Sequence, residues 1–268
     1  MSNNRPIGFL DSGVGGLTVV KEAMKQLPNE TVYYIGDTLR CPYGPRPVEQ
    51  IKQFTWEMTQ FLMKKNVKMI VIACNTATAI ALEEIKKTLR IPVVGVINPG
   101  ARAALKLTHN NKIGVIGTAG TINSGEYGSA IHKKSPKSDV YGIACPKFVP
   151  IVESKQYSST IAESVVSEAL APFNGKNIDT LVMGCTHYPL LKPLIRQEMG
   201  EKVKLIDSGA EAVSEVSMLL DYYDIAADAT EEEKQHEFFM TGSKKMFEDI
   251  SHDWLNLESI STNRITLP

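Results

Sequence analysis

The sequence predicts an α/β protein of two pseudo-symmetric, doubly wound domains with mainly parallel sheets and an active site in the cleft between them. Three observations predict it. Short continuous apolar runs alternate with amphipathic stretches of helical period. Four of the runs recur in the same order roughly one domain length later. Polar residues cluster where those runs end.

The runs come first. Ile7–Leu10, Val32–Ile35, Met69–Ala73 and Val93–Ile97 are short, β-rich and apolar, and each ends near Gly, Asp, Asn or Pro. Between them, Val48, Ile51, Phe54, Met58, Phe61 and Leu62 step by three and four residues, a helical period. Ala79–Leu89 predicts a second helix, closed by Ile91-Pro92 because the residue before proline disfavours the helical region. The plan repeats with Ile113–Ile116, Val140–Ile143, Leu181–Met183 and Val203–Ile206. Continuous apolar strands alternating with helices predict parallel sheets covered on both faces.

Ile7 through Gly13 matches Ile113 through Ala119 at an offset of 106 (113 − 7). Val32–Ile35 matches Val140–Ile143 at 108 (140 − 32), and Cys74 answers Cys185 at 111 (185 − 74). Val94–Gly100 matches Lys204–Gly209 more loosely, about 109 on (206 − 97). That period is too long for a solenoid and fits two related domains. The expected division is 1–97 plus 208–268 for the first domain and 98–207 for the second. After Asp207 the chain leaves the repeat. Ala210–Tyr223 predicts a helix, Asp228–Glu233 an acidic loop or helix start with a solvated face, His236–Thr241 a strand, and Lys244–Leu255 a helix capped by Ser243. This tail reads as structural, packing on the first half.

Composition bounds the function class. The 268 residues carry 29 Lys and Arg against 30 Asp and Glu, a net charge of −1. That balance gives no electrostatic case for nucleic acid or an anionic membrane surface. The opening residues lack a secretory pattern, and no apolar run approaches a membrane span. The expectation is a soluble, cytoplasmic protein whose four cysteines are free thiols.

In open α/β sheets, ligands bind beyond the carboxyl ends of the strands. Asp11, Asp37, Cys74, Asn98, Thr118, Cys185 and Asp207 all fall at or just past those ends, so they are expected to converge. Cys74 and Cys185 stand out. Each closes an apolar run where a helix amino terminus should begin, whose dipole lowers a thiol pKa. Each is followed by polar residues suited to a ligand, Asn75-Thr76 and Thr186-His187. Cys41 and Cys145, each followed by proline, read instead as packing. Zinc is not expected: there is no CxxC, and only His187 adjoins a cysteine.

The loop Asp11-Ser12-Gly13-Val14-Gly15-Gly16-Leu17 tempts a dinucleotide reading, but Thr18 stands where the third glycine belongs. Two readings remain for it: backbone amides that bind an anion such as a carboxylate, or a tight structural turn. His187 is a structural histidine or an acid–base partner of Cys185. Asp11 is a helix cap or a group that orients or deprotonates the first thiol.

Ile72-Ala73-Cys74-Asn75-Thr76-Ala77-Thr78 and Met183-Gly184-Cys185-Thr186-His187-Tyr188-Pro189 resemble the two signature segments of the cofactor-independent aspartate/glutamate racemases. Phe9 through Leu17 and the Asp37–Pro45 stretch, with Cys41-Pro42-Tyr43-Gly44, resemble the glutamate branch, as does His187, where the aspartate branch more often has glutamate. The resemblance runs from Ile7 to about Leu220. It implies reversible interconversion of L- and D-glutamate without pyridoxal phosphate or metal, in a homodimer, with D-glutamate feeding bacterial peptidoglycan. It implies that Cys74 and Cys185 work on opposite faces of the α-carbon, Asp11 assisting Cys74 and His187 assisting Cys185. Glu153 is a further helper by resemblance alone. Asp11, Ser12, Tyr43, Gly44, Asn75, Thr76, Thr118, Thr186 and His187 would bind the substrate. Alternatives from other classes are a Cys–His hydrolase or transferase using Cys185 and His187, and a non-enzymatic amino-acid-binding module. Aspartate as substrate is a variant of the racemase.

Overall fold

A computed structural model describes residues 3–229, 234–256 and 260–268. The first half runs β1 (Ile7–Asp11), α1 (Leu17–Gln26), β2 (Val32–Gly36), α2 (Val48–Lys64), β3 (Met69–Ile72), α3 (Asn75–Thr88), β4 (Val93–Gly95) and α4 (Ile97–Leu107). The second runs β5 (Lys112–Gly117), α5 (Ala119–Asn123), α6 (Glu126–His132), β6 (Asp139–Ala144), α7 (Phe148–Glu153), α8 (Thr160–Leu170), β7 (Thr180–Gly184), a 3-10 turn at Tyr188–Leu191, α9 (Lys192–Met199), β8 (Lys204–Asp207) and α10 (Ser208–Tyr222). The tail adds β9 (Glu237–Met240), α11 (Lys244–Leu255) and β10 (Ser261–Arg264).

Among the described residues the strands form two sheets, ordered β10-β9-β2-β1-β3-β4 and β6-β5-β7-β8. All pairings are parallel. The order β2-β1-β3-β4 in one sheet is the order β6-β5-β7-β8 in the other, so the sequence repeat is a repeat of topology. The predicted fold class is observed. β1, β3 and β7 are buried along their whole length, as strands covered on both faces must be. Close packing over the strands needs small residues on them: a Cβ at Gly8 would lie 3.0 Å from Leu62 of α2, and one at its repeat mate Gly114 would lie 2.6 Å from Ile178, in the loop before β7.

Several boundaries differ from expectation. The strand expected over Val93–Ile97 ends at Gly95, and Ile97 instead opens α4. Thr78 packs against Gly95, where a Cβ would sit 2.6 Å from its Cγ2, and the Thr78 hydroxyl accepts from the Val96 amide at 3.5 Å. That contact turns the chain into the helical region at Val96. The helix expected from Ala79 starts four residues earlier, at Asn75, because Cys74 caps it. The polar strand β10 has no apolar pattern to announce it and forms as an edge on β9. β9 in turn pairs with β2, and α11 packs on α1, so the tail extends the first sheet. Of the expected acidic segment, residues 230–233 lie outside the described residues.

α4 packs on β7 and β8 of the second sheet, and α10 packs on α1 and α4. The chain therefore crosses between the sheets through two helices that touch each other. No helix among the described residues is long and apolar enough to cross a membrane.

Candidate active site

β3 delivers Cys74 to the start of α3, where its backbone is extended (φ −67°, ψ 122°) and its sulfur accepts the Ala77 amide at 3.4 Å. A cysteine here does the work usually done by a Ser or Asp cap. Its thiol also reaches Ser12 Oγ at 3.5 Å, from the loop after β1. β7 delivers Cys185 to the equivalent place in the other sheet. There the expected helix start is missing: Tyr188–Leu191 forms a 3-10 turn containing Pro189, and α9 waits until Lys192. Proline lacks the N–H that a regular helix would use, so Cys185 is not an α-helix cap.

Both thiols line one cavity between the sheets. The first sheet contributes Ser12, Tyr43, Gly44, Cys74, Asn75 and Thr76, and the second contributes Thr118, Cys185, Thr186 and His187. The cavity volume is only about 20 Å³, room for about one water. The site is closed.

Behind Cys185 stands a chain of acid–base groups. Cys185 Sγ lies 3.8 Å from His187 Nδ1, and His187 Nε2 lies 3.0 Å from Glu153 Oε1 at the end of α7. Burial pulls the His187 pKa down, but its bonds to Cys185 and Glu153 outweigh that and push it up to about 10. His187 is therefore an imidazolium at neutral pH. The Trp254 ring of α11 lies edge-on to it, with centroids 6.1 Å apart, so the tail reaches the site as well as the first sheet.

Behind Cys74 stands Asp11, fully buried at the end of β1. Burial raises its carboxyl pKa; His187 and hydrogen bonds from the Gly13 and Gly16 amides and the Thr186 hydroxyl oppose that rise. Gly13 N–H donates to Asp11 Oδ1 at 2.9 Å, and Thr186 Oγ1 donates to Oδ2 at 3.3 Å. At this helix start the Gly13 amide is taken by Asp11's own carboxyl. The Leu17, Thr18 and Val19 amides are bonded to the carbonyls of Val14, Gly15 and Gly16. The glycines themselves serve close approach. A Cβ at Gly15 would lie 2.2 Å from Thr186 Oγ1 and 2.5 Å from His187.

The Cys74 thiol overturns one expectation. Its pKa is pushed up to about 12, first by burial and then by the Asp11 charge, against the Ala77 and Ser12 hydrogen bonds. A helix terminus is worth about 0.3–2 kcal/mol, whereas full burial moves a pKa by up to about 3–5 units. Desolvation wins, and Cys74 is a thiol at neutral pH.

Three expected strand-end residues stay out of the cavity. Asn98 is exposed on α4. Asp207 caps α10 through the Gly209 and Ala210 amides. Asp37 accepts from Tyr43 Oη at 2.5 Å, Arg40 Nε at 2.6 Å and Thr241 Oγ1 at 2.8 Å. Tyr43 thus lines the cavity while its phenol is held by Asp37. Gly44 meets the second half directly: a Cβ there would lie 2.8 Å from Thr118.

Besides Trp254, two participants escape the sequence reading. Cys41, read as packing, lines the cavity, and its thiol lies 3.9 Å from Glu153 Oε1. Its membership in the Cys-Pro-Tyr-Gly segment was the available signal. Thr121 completes a hydroxyl triangle with Thr76 and Thr118, at 3.1 Å from each, while Thr76 and Thr118 are 2.8 Å apart. The Thr118-x-x-Thr121 spacing at a helix start was its signal. Cys145 packs as expected, buried with its thiol on the Ile143 carbonyl. Among the described residues no group of three His, Cys, Asp or Glu side chains is placed to hold a metal ion.

The model of the Asp/Glu/Hydantoin racemase family matches residues 15–216, which covers both cysteines, the whole second sheet and β2, β3 and β4 of the first. The chain belongs to that family. It is similar to a glutamate racemase of Enterococcus faecalis, 63% identical over 267 residues, covering 100% of this chain and 98% of the relative. Among solved structures it is similar to the glutamate racemase isoform RacE1 of Bacillus anthracis, with a TM-score of 0.96, 47% identity and 99% of each chain covered. It is also similar to a Francisella tularensis glutamate racemase solved in complex with D-glutamate, with a TM-score of 0.91, 39% identity and 98% of each chain covered. Family membership and the paired thiols point to the same chemistry.

Proposed function

We propose that this protein is a cofactor-independent glutamate racemase, interconverting L- and D-glutamate by two-base chemistry at Cys74 and Cys185. One observation carries the reading: two thiols from equivalent strand ends of two sheets line a single narrow cavity. Support for glutamate as the substrate comes from relatives of that name matched over nearly their whole length.

The α-proton of an amino acid is weakly acidic, so a base must take it from one face while an acid returns one to the other. Cys74, held as a thiol, suits the acid role toward one enantiomer. Its proton passes to the α-carbon as Cys185 removes the original one. In the reverse direction the roles exchange. His187, protonated between Cys185 and Glu153, serves the second thiol. Asp11, whose charge Cys74 feels, serves the first. The hydroxyls and amides of Ser12, Asn75, Thr76, Thr118 and Thr186, the Tyr43-Gly44 backbone and His187 hold the ammonium and the carboxylates. A closed, water-poor site strengthens each of these interactions.

A cavity of one water's size does not admit glutamate. Entry would need the lining to move apart, and the cleft between 1–97 with 208–268 and 98–207 is where it would open. The protein would act in the cytoplasm as a homodimer, supplying D-glutamate to peptidoglycan.

The test is incubation with L-glutamate in D2O without added cofactor. Loss of optical rotation with deuterium at the α-carbon is expected. Unchanged rotation without label overturns the proposal. The Cys185–His187–Glu153 alignment also suits a Cys–His hydrolase. That reading requires a trapped acyl-enzyme and activity that survives Cys74→Ala.

A further inference from the structure

Behind Asn75 lies a buried polar relay that none of the acid–base groups uses. Tyr127 of α6, 3% exposed, donates its phenol proton to Asn75 Oδ1 at 2.6 Å. Asn75 Nδ2 reaches Ser208 Oγ at 3.4 Å, and Ser208 Oγ donates to the Met183 carbonyl at 3.1 Å. The four residues come from α3, α6, α10 and β7, so the relay ties both halves together at the point where the chain returns to the first sheet. The Tyr127 ring also packs on the residue before Cys185: a Cβ at Gly184 would lie 2.9 Å from Tyr127 Cε2.

We infer that Tyr127 is a positioning residue that holds the Asn75 amide in one orientation, so that its N–H₂ and not its carbonyl is available to a substrate carboxylate. This rests on the racemase reading and deepens it. An asparagine side chain offers an acceptor on one side and donors on the other, and the two forms differ only by a flip. With Oδ1 taken by the phenol and one N–H directed at Ser208 Oγ, the second N–H is the donor Asn75 has left for the cavity it lines. A carboxylate there gains a charge-assisted bond in one orientation and meets a carbonyl dipole in the other. Without the hydroxyl, only the longer 3.4 Å contact with Ser208 Oγ, whose proton goes to the Met183 carbonyl, still favours that orientation. The ring's packing on Gly184 is untouched by loss of the hydroxyl, which makes the phenylalanine variant a clean probe.

The experiment combines a double-mutant cycle on Tyr127→Phe and Asn75→Ala with calorimetric titration of D-glutamate, steady-state kinetics and thermal melting. Tyr127→Phe is expected to weaken D-glutamate binding and raise KM about tenfold, with kcat changed less than about threefold. In the Asn75→Ala background the same change is expected to have less than about a twofold effect. Asn75→Asp keeps the acceptor for Tyr127 but removes the N–H, and is expected to bind D-glutamate at least about tenfold more weakly. This variant keeps the test open should Tyr127→Phe fail to fold. Unchanged affinity in Tyr127→Phe or Asn75→Asp, or an equal loss with and without Asn75, overturns the inference. Wild-type α-deuterium exchange, run alongside, separates this failure from failure of the racemase reading. Normal exchange with an indifferent Tyr127 sinks only the positioning role.

Discussion

Thr186 Oγ1 hydrogen-bonds Asp11 Oδ2 at 3.3 Å, so the residue after the second cysteine holds the acid that stands behind the first. Each sheet's thiol is thereby tied to the opposite half. Thr18 reinforces the join by donating to the Thr186 carbonyl at 2.8 Å. Thr186→Val removes the bond while keeping the shape, and leaves a buried carboxylate one donor short. It is expected to lower stability by about 1–3 kcal/mol and to raise the Asp11 pKa further, which NMR titration of the carboxyl would read.

Loss of either thiol strands one face of the α-carbon. Cys74→Ala and Cys185→Ala are each expected to abolish racemisation while retaining the fold by circular dichroism. Near-native turnover in either variant refutes the two-base assignment.

His187 makes stability depend on pH in a defined window. Its folded pKa of about 10 lies above its ordinary 6.5. Its contribution is therefore complete below pH 6.5 and is lost as pH rises through about 10. Asp11, also raised, acts in the same direction, favouring the fold at acid pH and losing that contribution as pH rises above 3.8. In melting curves between pH 6.5 and 10, His187→Gln is expected to flatten the decline seen in the wild type. Glu153→Gln removes one of the two partners that hold the proton and should move the decline to lower pH. Identical pH profiles for all three proteins would dismiss the charged relay.

Gly15 is required by close approach alone. Gly15→Ala places a methyl 2.2 Å from Thr186 Oγ1 and 2.5 Å from the His187 ring, an overlap relieved only if these two site residues shift. Overpacking of this kind costs about 1–3 kcal/mol. The expected result is a lower melting temperature together with a larger loss of activity than of stability, measured by calorimetry and optical rotation.

Much of the site was legible because its determinants are local. Cys74 and Cys185 end apolar runs, and an apolar run with no polar alternation must be buried on both faces wherever it folds. Ser12, Thr76 and Thr118 follow at strand ends, which in a parallel sheet all point the same way. Asp37, Asn98 and Asp207 satisfied the same rule and yet serve the loop network, the surface and a helix cap. Position along a strand fixes an end of the sheet but not the direction of a side chain beyond it.

By itself, then, the sequence determined the parallel α/β architecture, its duplication and the two thiol positions, since each follows from short-range pattern repeated along the chain. The tertiary structure decided what lies across the join. Glu153 meets His187 across 34 positions of sequence, Trp254 and Cys41 arrive from distant segments, and Tyr127 reaches Asn75 from the other half. It also decided protonation. The helix start at Cys74 is a local feature that argues for thiolate, whereas desolvation is set by everything packed around the sulfur and is the larger effect, and only a folded chain excludes that water.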